Sequence, residues 1–317
     1  MNTATEVNAA LAMVFPGQGS QAVGMLSDLA ESSPQVIETF EQASDLLGYD
    51  LWQLVRQGPA DELNQTARTQ PAMLAAGVAV WRAWQAREGV LPAVMAGHSL
   101  GEYTALVCAD ALQFGDAITL VAERGRCMQS AVPEGAGAMA AILGLDDAAV
   151  AGVCEMAAEG EVVSPVNYNS PGQVVIAGHT SAVERATALA KQAGAKRAVL
   201  LPVSVPSHCA LMTSAAAEFA KQLAGVDIRS PQIPVLQNVD ALASADPTVI
   251  REKLGRQLYT PVQWVRTVQA MGEQGIARII EAGPGKVLAG LCKRIDKNMA
   301  VVAVHDAESM DAALSES

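Results

Sequence analysis

The pentapeptide Gly97-His98-Ser99-Leu100-Gly101 lies between an apolar run, Leu91 to Ala96, and a helix-like run, Glu102 to Ala109. A Gly-x-Ser-x-Gly turn between a strand and a helix forces the serine into a tight bend, and its glycines clear the space around that bend. Ser99 is therefore a candidate nucleophile. The same bend sets it at a helix N-terminus, where unpaired N–H groups and the positive end of the macrodipole can hold a developing oxyanion. The chemistry implied is acyl transfer through a covalent serine ester.

Such a serine needs a base, and the chain has four histidines: His98, His179, His208 and His305. At an extended strand end neighbouring side chains point to opposite sides, so His98, beside Ser99, reads as a packing residue. His179 follows Val174 to Gly178 as the opening of a helix, and His305 ends the last strand-like run. His208 is different. It closes the apolar run Leu200 to Ser207 where a Pro-containing loop precedes an Ala-rich helix, and loops at strand ends are where catalytic bases sit. The order Ser then His also fits serine hydrolases.

These residues and others in the same order resemble the malonyl-coenzyme A:acyl carrier protein transacylases of bacterial type II fatty-acid synthesis. The likeness runs through Phe15-Pro16-Gly17-Gln18-Gly19-Ser20-Gln21, Thr69-Gln70-Pro71-Ala72, Gly97 to Tyr103, Glu123-Arg124-Gly125 with Met128, and Asn167-Tyr168-Asn169-Ser170-Pro171. It continues through Pro206-Ser207-His208, Gln257-Leu258 with Pro261-Val262, and Glu281-Ala282-Gly283-Pro284-Gly285. The resemblance implies Ser99 as nucleophile, His208 as general base and Arg124 as the grip on the free malonyl carboxylate. It further implies an oxyanion hole from Gln18 and the Leu100 N–H, a Gln257 carbonyl that orients His208, and Met128 and Asn167 against the substrate. Malonyl-coenzyme A and acyl carrier protein are then the partners. The coenzyme A thioester is substrate, and no cofactor or metal is expected.

The residue types agree with two of those roles on separate grounds. Arginine presents a planar fork that matches a carboxylate bidentately and stays charged when partly buried, although Arg124 could equally lie on a solvated helix face. Gly17 and Gly19 permit a donor-presenting turn at Gln18, which could also be an ordinary loop residue. No feature nominates an Asp or Glu as a third triad member. A serine esterase or thioesterase with the same Ser-His pair, or a non-catalytic carrier-binding module, stays compatible with the motif alone.

Half of the 317 residues are apolar and 4% aromatic, in alternating strand-like and helix-like runs, the profile of an α/β protein. The pattern from Ala138 to Val203 reads β-α-β-β-α-β, a ferredoxin-like order. The expected fold is an α/β-hydrolase-like large part with a parallel sheet, residues 1–132 and 204–317, carrying an inserted ferredoxin-like part, residues 133–203. Ser99 and His208 flank the insert, so a cleft between the two parts is the expected site. A helix is expected to start at Pro71 and run to Arg87, and a strand to span Ala198 to Val203.

Met1 to Ala10 carries no Lys or Arg and no apolar block, and no stretch approaches a membrane span, so a cytoplasmic protein without membrane contact is expected, and a monomer. Five scattered cysteines, with no Cys-x-x-Cys, argue against disulfides and structural zinc. The net charge of −12 argues against nucleic acid and also opposes an acidic carrier protein. Two basic clusters are the candidates for carrier docking: Lys191 with Lys196 and Arg197, and Lys286 with Lys293 and Arg294. Each could also be a plain solvated helix end.

Overall fold

The computed structural model describes residues 7–203 and 205–316. The reading of the first six residues and the boundary at Ser204 lie outside them. Nine strands occur among the described residues: β1 Val7–Phe15, β2 Leu91–Gly97, β3 Gly137–Leu143, β4 Val163–Ser170, β5 Gln173–His179, β6 Arg197–Leu200, β7 Val235–Leu236, β8 Arg278–Ala282 and β9 Ala300–Val304. One sheet has the order β7-β2-β1-β8-β9, and every neighbouring pair in it is parallel. A parallel sheet is covered on both faces, and the alternation along β1 shows how. Leu11, Met13 and Phe15 enter one apolar cluster with the helices Thr66–Ala86, Gly101–Cys108 and Phe114–Ser130. Ala12 and Val14 enter a second cluster with the helices Trp264–Glu273 and Val287–Ile295.

The other sheet is antiparallel, order β4-β5-β3-β6, with its connections made by the helices Asp147–Ala158 and Thr180–Gln192. That is the ferredoxin-like unit. Its residues also split by period two: Ala140, Ile142, Val174 and Ile176 pack on the two helices, while Met139, Val175 and Ala177 turn the other way, onto Cys209. Main-chain bonds fasten this unit to the large one. Tyr168 N–H donates to Val262 O at 3.0 Å, and Val262 N–H to Val166 O at 2.8 Å.

Two boundaries differ from expectation. The long helix starts at Thr66, not at Pro71, because the Thr69 hydroxyl donates to Leu63 O and Gln65 O and so holds a first turn ahead of the proline. The strand β6 stops at Leu200. Leu201 N–H still bonds to Met139 O of β3 at 2.9 Å, but Pro202 has no N–H for the ladder and Val203 N–H turns back onto Leu201 O, so the pairing ends there. No helix of the described residues is long and apolar enough to cross a membrane, and all five thiols are free and buried.

Candidate active site

The elbow after β2 is built by contact as much as by conformation. A Cβ on Gly97 would sit 1.8 Å from the Gly101 carbonyl carbon, and one on Gly101 would sit 2.1 Å from Phe15 O. Only glycine fits both positions. Between them Ser99 adopts φ +52°, in the left-handed region that a side chain rarely takes. Asn238 holds that strain: Ser99 N–H donates to its Oδ1 at 2.6 Å, and its Nδ2 donates to Gly97 O at 2.6 Å.

Ser99 Oγ lies 2.8 Å from His208 Nε2. On the far side of the ring, Nδ1 lies 2.7 Å from Gln257 O, and since a carbonyl only accepts, the proton is on Nδ1 and Nε2 is free to receive the serine proton. His208 is buried, and its N–H is anchored on Leu258 O at 3.0 Å. Burial first, and then the neighbouring Arg124 charge, push its pKa down to about 3, so the imidazole is neutral near pH 7. The geometry supplies a nucleophile, a neutral base and a fixed tautomer.

Arg124 projects from the helix Phe114–Ser130 and is 1% exposed, which removes the solvated-face reading. Its Nη1 donates to Gln70 Oε1 at 2.9 Å, and its Nη2 to Gln257 Oε1 at 2.9 Å and to Ser99 Oγ at 3.3 Å. Its Nε is buried without a partner. Burial lowers its pKa, but a guanidinium stays protonated, so a positive charge held by amide carbonyls stands beside the nucleophile.

Gln18, Leu100, Met128 and Asn167 line the same cavity as Ser99, His208 and Arg124. Gln18 is exposed on the loop after β1, with Nε2 3.4 Å from Thr66 Oγ1. Asn167 Oδ1 is buried with no hydrogen-bond partner. Met139, Val175, Leu201, Val203 and Val205 add an apolar wall, with Ser207 beside His208, so the segment after β6 serves the cavity. His98 lines it too, contrary to the alternation argument. The elbow is no longer extended there, and the His98 ring lies against Trp264 at 5.6 Å and meets Asn169 Oδ1 at 2.8 Å through Nε2. His179 caps its strand end by accepting from Val162 N–H, and His305 contacts Ser309 and Asp306.

Sequence reasoning missed Gln70, Glu102 and Asn238 as members of the site. Gln70 and Glu102 fall inside motifs quoted for the resemblance, whereas Asn238 carries no local signal. Of the basic side chains, Lys196 and Arg294 meet in one groove beside the Ser170–Gln173 turn, with Arg294 Nη1 donating to Gln173 Oε1 at 2.7 Å. Lys286 and Lys293 line a different groove with His305, and Lys191 and Arg197 are exposed on the small unit.

A serine on an elbow, a histidine on the facing loop and a cleft between two units define a site for serine acyl chemistry, and the chain belongs to the family described as acyl transferase domain, whose model matches residues 12–310. Within that family it is similar to malonyl CoA-acyl carrier protein transacylase of Escherichia coli strain K12, 60% identical over 303 residues, 96% of this chain and 98% of that protein. An acyl carrier protein S-malonyltransferase structure from Vibrio cholerae is 62% identical with a TM-score of 0.94, covering 96% of this chain and 99% of that one. A malonyl-transacylase solved in complex with its type II PKS acyl-carrier protein is 56% identical with a TM-score of 0.96, over 97% and 99% of the two chains.

Proposed function

We propose that this chain moves the malonyl group from malonyl-coenzyme A to the phosphopantetheine thiol of an acyl carrier protein, supplying extender units for fatty-acid synthesis. His208 takes the Ser99 proton as Oγ attacks the thioester carbonyl, the oxyanion rests on the Leu100 N–H and Gln18, and the thiol of coenzyme A leaves with the proton from His208. Malonyl-Ser99 remains. The carrier thiol then gives its proton to His208 and takes the acyl group, restoring the serine hydroxyl. Gln257 orients His208, and Met128 and Asn167 border the acyl group. The exposed lysines and arginines at 191, 196, 197, 286, 293 and 294 serve carrier docking. We read residues 133–203 as the inserted unit and the remainder as the catalytic one, acting as a cytoplasmic monomer without a resident metal or cofactor.

One observation carries the substrate choice: Arg124 Nη2 lies 3.3 Å from Ser99 Oγ, and the same buried guanidinium keeps an unpartnered Nε donor for a carboxylate. An esterase of neutral acyl groups has no use for a buried cation there, and the relatives are named as transacylases. The test is intact mass after mixing with malonyl-coenzyme A. Wild type is expected to gain one malonyl group that acyl carrier protein removes, and Ser99→Ala to gain none. An adduct surviving in Ser99→Ala, or one that water clears before the carrier does, would sink the assignment.

A further inference from the structure

Glu102 sits on the opening turn of the helix Gly101–Cys108, wholly buried and directly behind the nucleophile. Its Oε2 accepts from Asn238 N–H at 2.8 Å and from Gln257 Nε2 at 2.9 Å, and its Oε1 accepts from Gln237 Nε2 at 3.3 Å. Gln257 Nε2 also donates to Ser99 O at 3.0 Å. Both donors of that amide are thus committed, and the amide has a single remaining end. Its Oε1 must face Arg124 Nη2, where it stands at 2.9 Å. With the amide reversed, an NH2 group would meet the guanidinium donor to donor, and a carbonyl would meet the carboxylate.

We propose that Glu102 is a positioning residue for substrate selection, fixing Arg124 for the malonyl carboxylate by dictating which end of the Gln257 amide it meets; this rests on the transacylase reading. Charge supports the same role. Burial raises the Glu102 pKa, while the Asn238, Gln257 and Gln237 donors and the Arg124 charge favour its ionised form; as a carboxylate it stands one side chain from Arg124, a buried cation whose nearest groups are neutral, and balances it without occupying the guanidinium. A carboxylate in direct contact would occupy the fork and compete with malonate. One intervening amide supplies the compensation without the competition.

The effect is separable from that on the base. Gln257 N–H is held by Lys253 O at 2.8 Å, so the main-chain carbonyl that orients His208 stays in place when the side chain is released. Glu102→Gln keeps the shape but removes the charge and lets both amides reverse. It is expected to raise KM for malonyl-coenzyme A and lower kcat/KM about tenfold, as when a hydrogen bond to a charged group is lost, while transfer of acetyl from acetyl-coenzyme A changes much less. Gln257→Met is expected to narrow the malonyl-to-acetyl ratio alike, and the double variant to add nothing further. Equal losses with the two donors, or additive losses in the double variant, overturn the proposal. Should Glu102→Gln fail to fold, Gln257→Met decides alone, and an unchanged ratio in that variant overturns it. Wild type that forms no malonyl adduct would overturn the transacylase reading instead.

Discussion

His208 is neutral in the resting site, which leaves Nε2 open to a proton in its proposed role as base. Its pKa of about 3 has burial as the larger cause and the Arg124 charge as the second. On the proposed role of Arg124, a malonyl carboxylate there would offset that second cause and ease formation of the imidazolium as Ser99 gives up its proton. The same shift makes stability depend on pH. An unfolded chain protonates this imidazole as pH falls through about 6.5, whereas the folded protein does so only near 3, so stability fully present above that range is lost as pH falls through it. Wild type is expected to lose on the order of 1 kcal/mol per pH unit from this group between pH 6 and pH 4, and His208→Gln to show a flatter dependence. Urea midpoints of the two proteins across that range make the comparison, and parallel curves would remove His208 from the linkage.

The elbow is where sequence and structure agree best, because its constraints are local. Two glycines, an apolar strand and a following helix are contiguous from Leu91 to Ala109, and each shows in the residue pattern. Gly97→Ala is expected to cost about 3 kcal/mol or more, since the added Cβ would lie 1.8 Å from main-chain carbon that cannot yield. Thermal melts test this against Ser99→Ala, which keeps the backbone; an unshifted Gly97→Ala transition would show that the elbow can relax. The ferredoxin-like β-α-β-β-α-β unit was legible for the same reason, as its order is carried by adjacent runs. Contacts that close the site were not. Asn238 reaches Ser99 across 139 residues and Gln257 reaches it across 158, because the ends of β2 and β7 and the loop at Leu258 converge only after the parallel sheet forms. The resemblance nominated the Gln257 carbonyl, while its side chain, which reads Glu102 and Arg124 together, is visible only in the fold. The early start of the helix at Thr66 was hidden because the turn ahead of Pro71 is held by the Arg68 and Thr69 N–H groups on Gln65 O and by the Thr69 hydroxyl on Leu63 O.

At the scale of the whole molecule the two units divide the work, the parallel sheet presenting Ser99 and the ferredoxin-like sheet walling the cavity with Met139 and Val175. Their junction also gathers charge. The chain is acidic overall at −12, and an acidic carrier must approach it against that field, so docking depends on local positive ground. The sequence offered two basic clusters as separate patches. Folding brings one member of each, Lys196 and Arg294, to a single groove by the Ser170–Gln173 turn, at the end of the strand that carries Asn167 into the cavity. We propose this groove, lined by Lys196 and Arg294 with Asp146 beside them, as the place that receives the carrier while its arm reaches Ser99. Lys196→Glu and Arg294→Glu are expected to raise KM for acyl carrier protein severalfold at low salt, with the loss fading as ionic strength rises and the Debye length shrinks to about 3 Å at 1 M. Acylation by malonyl-coenzyme A, followed by intact mass, is expected to keep its rate in both variants, because neither side chain lines the cavity. Carrier kinetics that stay unchanged at low salt in both would place docking on another face, and Lys286→Glu, in the neighbouring groove with His305, is the variant that would then respond.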